Sequence, residues 1–148
     1  MLTARTAFAL VLASTIATGA TGCEAFEGDG IGPDGGLVVS EDGRMSLEVP
    51  PGALDETVEI TIDVVEGPTG SASDMYVLEP MGLVLGLPAE LVYDYDDQTA
   101  GPDEAEALTM VAQREADWAY LADQTVDTED QTLSASVMSL SGVTVVVD

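Results

Sequence analysis

Histidine and lysine are absent from this 148-residue chain, cysteine occurs once, and cations of any kind number three. Without histidine or a second cysteine, the common nucleophile–base dyads and the thiolate–imidazole metal sites cannot be assembled. Aromatic residues make up only 5%, too few for the aromatic-lined cleft in which a carboxylate pair cleaves a glycosidic bond. The 28 acidic residues set a net charge of −25. Such a surface repels phosphate backbones and anionic headgroups, which argues against nucleic-acid binding and against electrostatic docking to a membrane. No apolar run reaches the roughly 20 residues of a membrane-spanning helix.

What is present begins with an address. Met1 to Gly22 has a short positive start with Arg5, an apolar stretch from Ala7 to Ile16 and a small-residue exit, the three parts of an export signal. A lone cysteine in an exported protein is a free thiol, half of an intermolecular disulfide, or a modification site. Ala20-Thr21-Gly22-Cys23 resembles a bacterial lipoprotein box, apart from Ala20 where that family usually carries Leu. The resemblance implies removal of residues 1–22, lipidation of Cys23 and further acylation (palmitate or a similar chain) on the new amine. Two chains are what stable anchoring requires. Glu24 rather than Asp follows the cysteine, which by analogy with enterobacterial sorting points to the outer membrane. The expectation is an exported protein, lipid-anchored to the cell envelope. The lipid, not the protein surface, holds it there.

Removing the leader leaves Arg44 and Arg114 against all 28 acids. Self-repulsion at this density is screened over about 10 Å at 0.1 M salt, so a saline environment or bound cations would relieve it. Hydrophobic content of 46% is ordinary for a folded domain. Residues 23–36 carry five glycines and four acids and read as a flexible tether behind the lipidated cysteine. Asp29 and Asp34 stand among the glycines without the order of acids of an EF-hand loop.

Residues 37–148 read as one all-β domain. Short runs alternate with period two between Gly, Pro, Asp and Ser clusters. Leu37-Val38-Val39 and Met45 to Val49 flank the turn Glu41-Asp42-Gly43, and Pro50-Pro51-Gly52 stops the second strand. Val58, Ile60, Ile62 and Val64 share one face of a third strand. Further strands are expected at Met75–Leu78, Glu90–Asp94, Ala107–Gln113, Asp117–Ala122, Thr132–Val137 and Gly142–Val147. Residues 80–88 form a Gly-Pro-rich crossing and 94–106 an acidic loop. About 8–10 short strands at this spacing predict an antiparallel β-sandwich. Trp118, Tyr120 and Leu121 are expected in its core, with a ligand-stacking role for Trp118 as the alternative.

The run Gly35-Gly36-Leu37-Val38-Val39-Ser40 through Pro50-Pro51-Gly52-Ala53-Leu54 resembles the opening of a ZU-five domain, the β-sandwich of ankyrins, netrin receptors and many bacterial surface proteins. Thr57 to Val64 and Glu79-Pro80-Met81-Gly82-Leu83 before Pro88-Ala89-Glu90-Leu91 continue the likeness, which covers most of residues 35–148. Some relatives of that fold cut their own backbone at a His-x-Ser before the last strand. Here the corresponding stretch is Ser139-Leu140-Ser141, with no histidine to activate the serine.

The functional expectation is an anchored β-sandwich that acts by presenting a surface to an envelope or surface protein partner, not an enzyme and without a resident cofactor. The alternative is an envelope domain that binds Ca²⁺ through the acidic loop, with Asp94, Asp96, Asp97, Asp103 and Glu104 as oxygen ligands. The same carboxylates could supply a general acid and base.

Overall fold

The computed structural model describes residues 30–148. The leader, Cys23 and the first part of the tether lie outside the described residues. Ten strands follow: β1 (Gly36–Val39), β2 (Met45–Val49), β3 (Thr61–Val65), β4 (Met75–Glu79), β5 (Val84–Asp94), β6 (Leu108–Arg114), β7 (Asp117–Tyr120), β8 (Ala122–Asp127), β9 (Thr132–Ser139) and β10 (Gly142–Val147). They form two five-stranded antiparallel sheets, ordered β1-β2-β5-β9-β8 and β3-β4-β10-β6-β7. The protein is a β-sandwich, as the alternation predicts.

The inward set of each strand follows from the pleat. Met45, Leu47 and Val49 of β2, Leu91 and Tyr93 of β5, and Leu133, Ala135 and Val137 of β9 face Tyr76 and Leu78 of β4, Met110 of β6, and Val143 and Val145 of β10, all buried in one cluster. Each large side chain in it contributes about 1.5–3 kcal/mol by leaving water. β7 and β8 run in the same direction, and the chain steps from one sheet to the other at Leu121. Where β7 departs, the Gln124 side chain completes the exposed edge of β6. Its Oε1 accepts from Met110 N at 2.6 Å and from Thr109 Oγ1 at 2.9 Å, and its Nε2 donates to the Met110 and Leu121 carbonyls at 3.0 Å.

Four features differ from the sequence expectation. The last residues of the expected tether are docked: Ile31 is 3% exposed and exchanges two backbone hydrogen bonds with Val58. Val58 is thereby used outside the third strand, which begins at Thr61. β5 starts at Val84, inside the expected crossing, because an irregularity between Val84 and Ala89 absorbs Gly86 and Pro88. β8 is an additional strand, too polar to show alternation. Trp118 and Tyr120 do not pack the core but stand 40% and 65% exposed. Their cross-strand partners are Gln113 and Val111, which point outward because Met110 and Ala112 point in. Only Leu121 of the three packs against the core.

Gly35 sits at φ +81°, and a Cβ there would lie 2.3 Å from the Val49 carbonyl oxygen. The glycine of the Gly35-Gly36 pair is therefore fixed by a close backbone approach at the β2 corner.

The sandwich has two unlike ends. Where the chain comes in at Ile31, the proximal end carries residues 50–60, 80–83, 115–116 and 140–141. The distal end carries 40–44, 66–74, 95–107, 128–131 and Asp148. The distal loops hold twelve acids and the proximal loops four.

Candidate functional site

The distal end contains an open depression of about 480 Å³ whose walls include Asp42, Arg44, Ser73, Tyr76, Tyr93 and Asp96. Three connections build it: the β1–β2 turn, the β3–β4 loop and the segment after β5. The turn is set by Asp42, whose Oδ1 accepts from the Ser40 hydroxyl and from Arg44 N at 3.0 Å. Ser40, 4% exposed, in turn accepts from Met45 N at 3.0 Å. The β3–β4 loop closes tightly at Gly67, where a Cβ would lie 2.3 Å from the Ser73 carbonyl oxygen, and it is tied to β10 by Ala72 N to Val145 O at 2.7 Å.

Tyr76 joins the two sheets here. It projects from β4, its hydroxyl donates to Asp42 Oδ2 at 2.7 Å, and its ring lies 5.8 Å from that of Tyr93 on β5 at an interplanar angle of 58°. Burial and the bond to Asp42 push the Tyr76 hydroxyl far above the ordinary tyrosine range, so it is a neutral donor at any physiological pH. Burial pushes the Asp42 carboxyl up, but the hydrogen bonds from Ser40, Tyr76 and the Arg44 backbone outweigh it and hold it below the usual carboxylate range.

Arg44, one of the two arginines among the described residues, pairs with Asp96 at 2.6 Å, with both side chains about 40% exposed. The bond from Arg44, then that from Thr99 N, draws Asp96 down to about 2. The same ion pair, with a contribution from the Tyr93 hydroxyl, raises the arginine. Asp96 Oδ1 also accepts from Gln98 N at 3.1 Å and from Thr99 N and Oγ1 at 3.0 Å. This carboxylate is committed to holding the loop.

Compared with protein-family models and with curated proteins, the chain finds no match.

The five acids of the expected Ca²⁺ loop are spread apart. Asp96 borders the first depression. Asp97 borders a second one of about 390 Å³, with Tyr95, Glu106, Thr128 and Gln131, and accepts from Gln131 Nε2 at 3.3 Å. Asp94 closes β5 opposite Thr132, and Asp103 and Glu104 are exposed before the 3₁₀ turn at Ala105–Ala107. Among the described residues no three acids gather as a metal would need. Ser139 and Ser141 border a groove of about 150 Å³ between the sheets at the proximal end, together with Arg114 and Tyr120.

Sequence reasoning read Asp42 as a turn residue and passed over Arg44, Tyr76 and Tyr93. The available signal was rarity. In a chain with three arginines and 28 acids, one beside an Asp-Gly turn marks a place where negative charge converges. What this surface offers is recognition of a polar group, with carboxylate and serine hydroxyl acceptors and the remaining N–H donors of a guanidinium.

Proposed function

We propose that the protein is an exported lipoprotein, anchored to the bacterial envelope through Cys23, whose ZU-five-like β-sandwich acts by binding a polar partner at its distal end rather than by catalysis. The observation that carries the reading is the placement of the only cysteine directly after an apolar leader and a small-residue exit. Two features of the fold support it. The chain comes in at the proximal end, so an anchor at Cys23 directs the Arg44 depression away from the bilayer. The groups in that depression are engaged in mutual hydrogen bonds that hold its shape, and none of its serines has a nitrogen base, because the chain contains no histidine or lysine.

The test is the intact mass, under denaturing conditions, of the protein extracted from the membranes of its own host. The expected species is Cys23 to Asp148 carrying acyl chains, with no internal cut. An unacylated soluble chain overturns the anchor, and a fragment ending at Leu140 overturns the absence of catalysis. Partner binding is tested by capture from solubilised envelope with the wild-type protein and with Arg44→Met: the partner bound by the former is lost from the latter.

A further inference from the structure

The proximal end carries an unusual set of side chains for so acidic a protein. Met81, Val84, Leu87, Trp118 and Met138 are 55%, 70%, 44%, 40% and 48% exposed there, against Val39, Val65 and Val147 at 42%, 40% and 44% where β1, β3 and β10 reach the distal end. The 80–83 and 140–141 turns contain no acid and are bonded to one another, Gly82 N to Leu140 O at 2.8 Å and Leu140 N to Leu83 O at 2.9 Å. Arg114 lies at this same end, exposed and without a salt bridge among the described residues, whereas Arg44 at the distal end is paired. One end of the molecule therefore combines exposed apolar side chains, a cation that forms no salt bridge although Glu115 and its cross-strand partner Asp117 adjoin it, and fewer loop carboxylates than the other end.

We infer that this proximal end rests on the phospholipid surface in which the Cys23 lipid is inserted, with Met81, Val84, Met138 and Trp118 among the headgroups and Arg114 on a lipid phosphate. The inference rests on the lipoprotein reading. The link from Cys23 to Gly30 is seven residues, about 25 Å when fully extended, and it joins the fold at the same end as these apolar side chains. Charge selects the orientation. The twelve distal acids are repelled by any anionic lipid, and turning them outward puts the length of the sandwich, well over the roughly 10 Å screening distance at 0.1 M salt, between most of them and the bilayer. Trp and Arg suit this position because one buries an amphipathic ring at headgroup depth and the other offers a fork of donors to phosphate.

Trp118 is the only tryptophan, so the full acylated chain reports on itself. In phosphatidylcholine vesicles containing the mature protein, Trp118 emission is expected to shift to the blue relative to the unacylated chain in buffer. It should lose intensity to lipids brominated near the headgroup and resist acrylamide. The double variant Val84→Asp, Met138→Asp, altered at two exposed positions and checked for unchanged thermal unfolding, is expected to lose all three effects while remaining acylated and membrane-bound. Trp118 that stays open to acrylamide and unquenched by bromolipid overturns the docking, as does a blue shift that grows with the protein-to-lipid ratio, which would place a second copy there. The acyl mass of the same sample separates the failures: an acylated chain with an unquenched tryptophan overturns the docking alone, and a chain without acyl groups overturns the anchor as well.

Discussion

The two ends of this sandwich are held by different physics. At the distal end, polar groups on opposite sheets are connected side chain to side chain, Ser40 to Asp42 to Tyr76, and the one ion pair among the described residues braces the loop beside them. At the proximal end the turns are tied backbone to backbone over apolar side chains such as Leu140, 1% exposed. A polar network fixes directions and depends on protonation, while apolar burial is insensitive to pH and fixes proximity. The depression thus sits where geometry is specified most tightly.

The largest effect expected from this contrast is at the proximal end. Leu140→Ala empties a fully buried position and should cost about 3 kcal/mol, with the same loss at pH 4 and pH 7 in denaturant titrations. Gln124→Leu, at the corner between the sheets, leaves the Met110 and Thr109 donors without their acceptor and should cost about 2 kcal/mol. At the distal end Tyr76→Phe keeps the ring against Tyr93 and removes only the hydroxyl, for a cost of about 1 kcal/mol. An equal cost for Leu140→Ala and Tyr76→Phe would contradict the division between the ends.

Protonation distinguishes them more sharply. The Asp42 and Asp96 carboxyls are depressed in the folded state, so their stabilisation is fully present above the unfolded carboxylate value near 4 and is lost as pH falls through the folded values, about 2 for Asp96. Arg44→Met lets Asp96 return upward. The stability difference between wild type and variant should be constant above pH 4 and close on descending to pH 2, measured by thermal unfolding across that range. A difference that persists unchanged at pH 2 would mean that Arg44 acts by packing alone.

Much of the fold was legible in the residues because alternation survives wherever one sheet face is wet. Met45 to Val49, Thr132 to Val137 and Gly142 to Val147 are strands as expected. β5 was half hidden, since Gly86 and Pro88 read as a crossing and the irregularity that accommodates them is set by the β9 partner. β8 was hidden entirely, because a polar strand at a sheet edge has no apolar face to announce it. Trp118 and Tyr120 show the limit of hydropathy: alternation places them on one face together, but which face is inward is decided by register against β6, and register is a property of two strands. The site was less legible than the fold for the same reason. Asp42, Tyr76 and Asp96 meet only because a turn of one sheet, a strand of the other and a distant loop share one end.

The smallest effect concerns charge density and tests whether the acidity of the two ends differs in consequence as well as in number. Asp103 and Glu104 are exposed in the distal loop, and Asp55 and Glu56 are exposed in the proximal one. Neither pair takes part in a side-chain hydrogen bond or salt bridge among the described residues. Asp103→Asn with Glu104→Gln relieves repulsion from the ten remaining acids of the distal loops and should raise stability by about 0.5 kcal/mol, roughly 3 °C in unfolding temperature. Asp55→Asn with Glu56→Gln has fewer neighbours to relieve and should raise it by less. Both gains should vanish near 1 M salt, where screening acts within about 3 Å. Equal gains at the two ends would mean that the field of the whole molecule, rather than its local clustering, sets the repulsion. In that case the sparse acids of the proximal end would give it no electrostatic advantage in approaching a membrane, and the preference would rest on its exposed apolar side chains and Arg114.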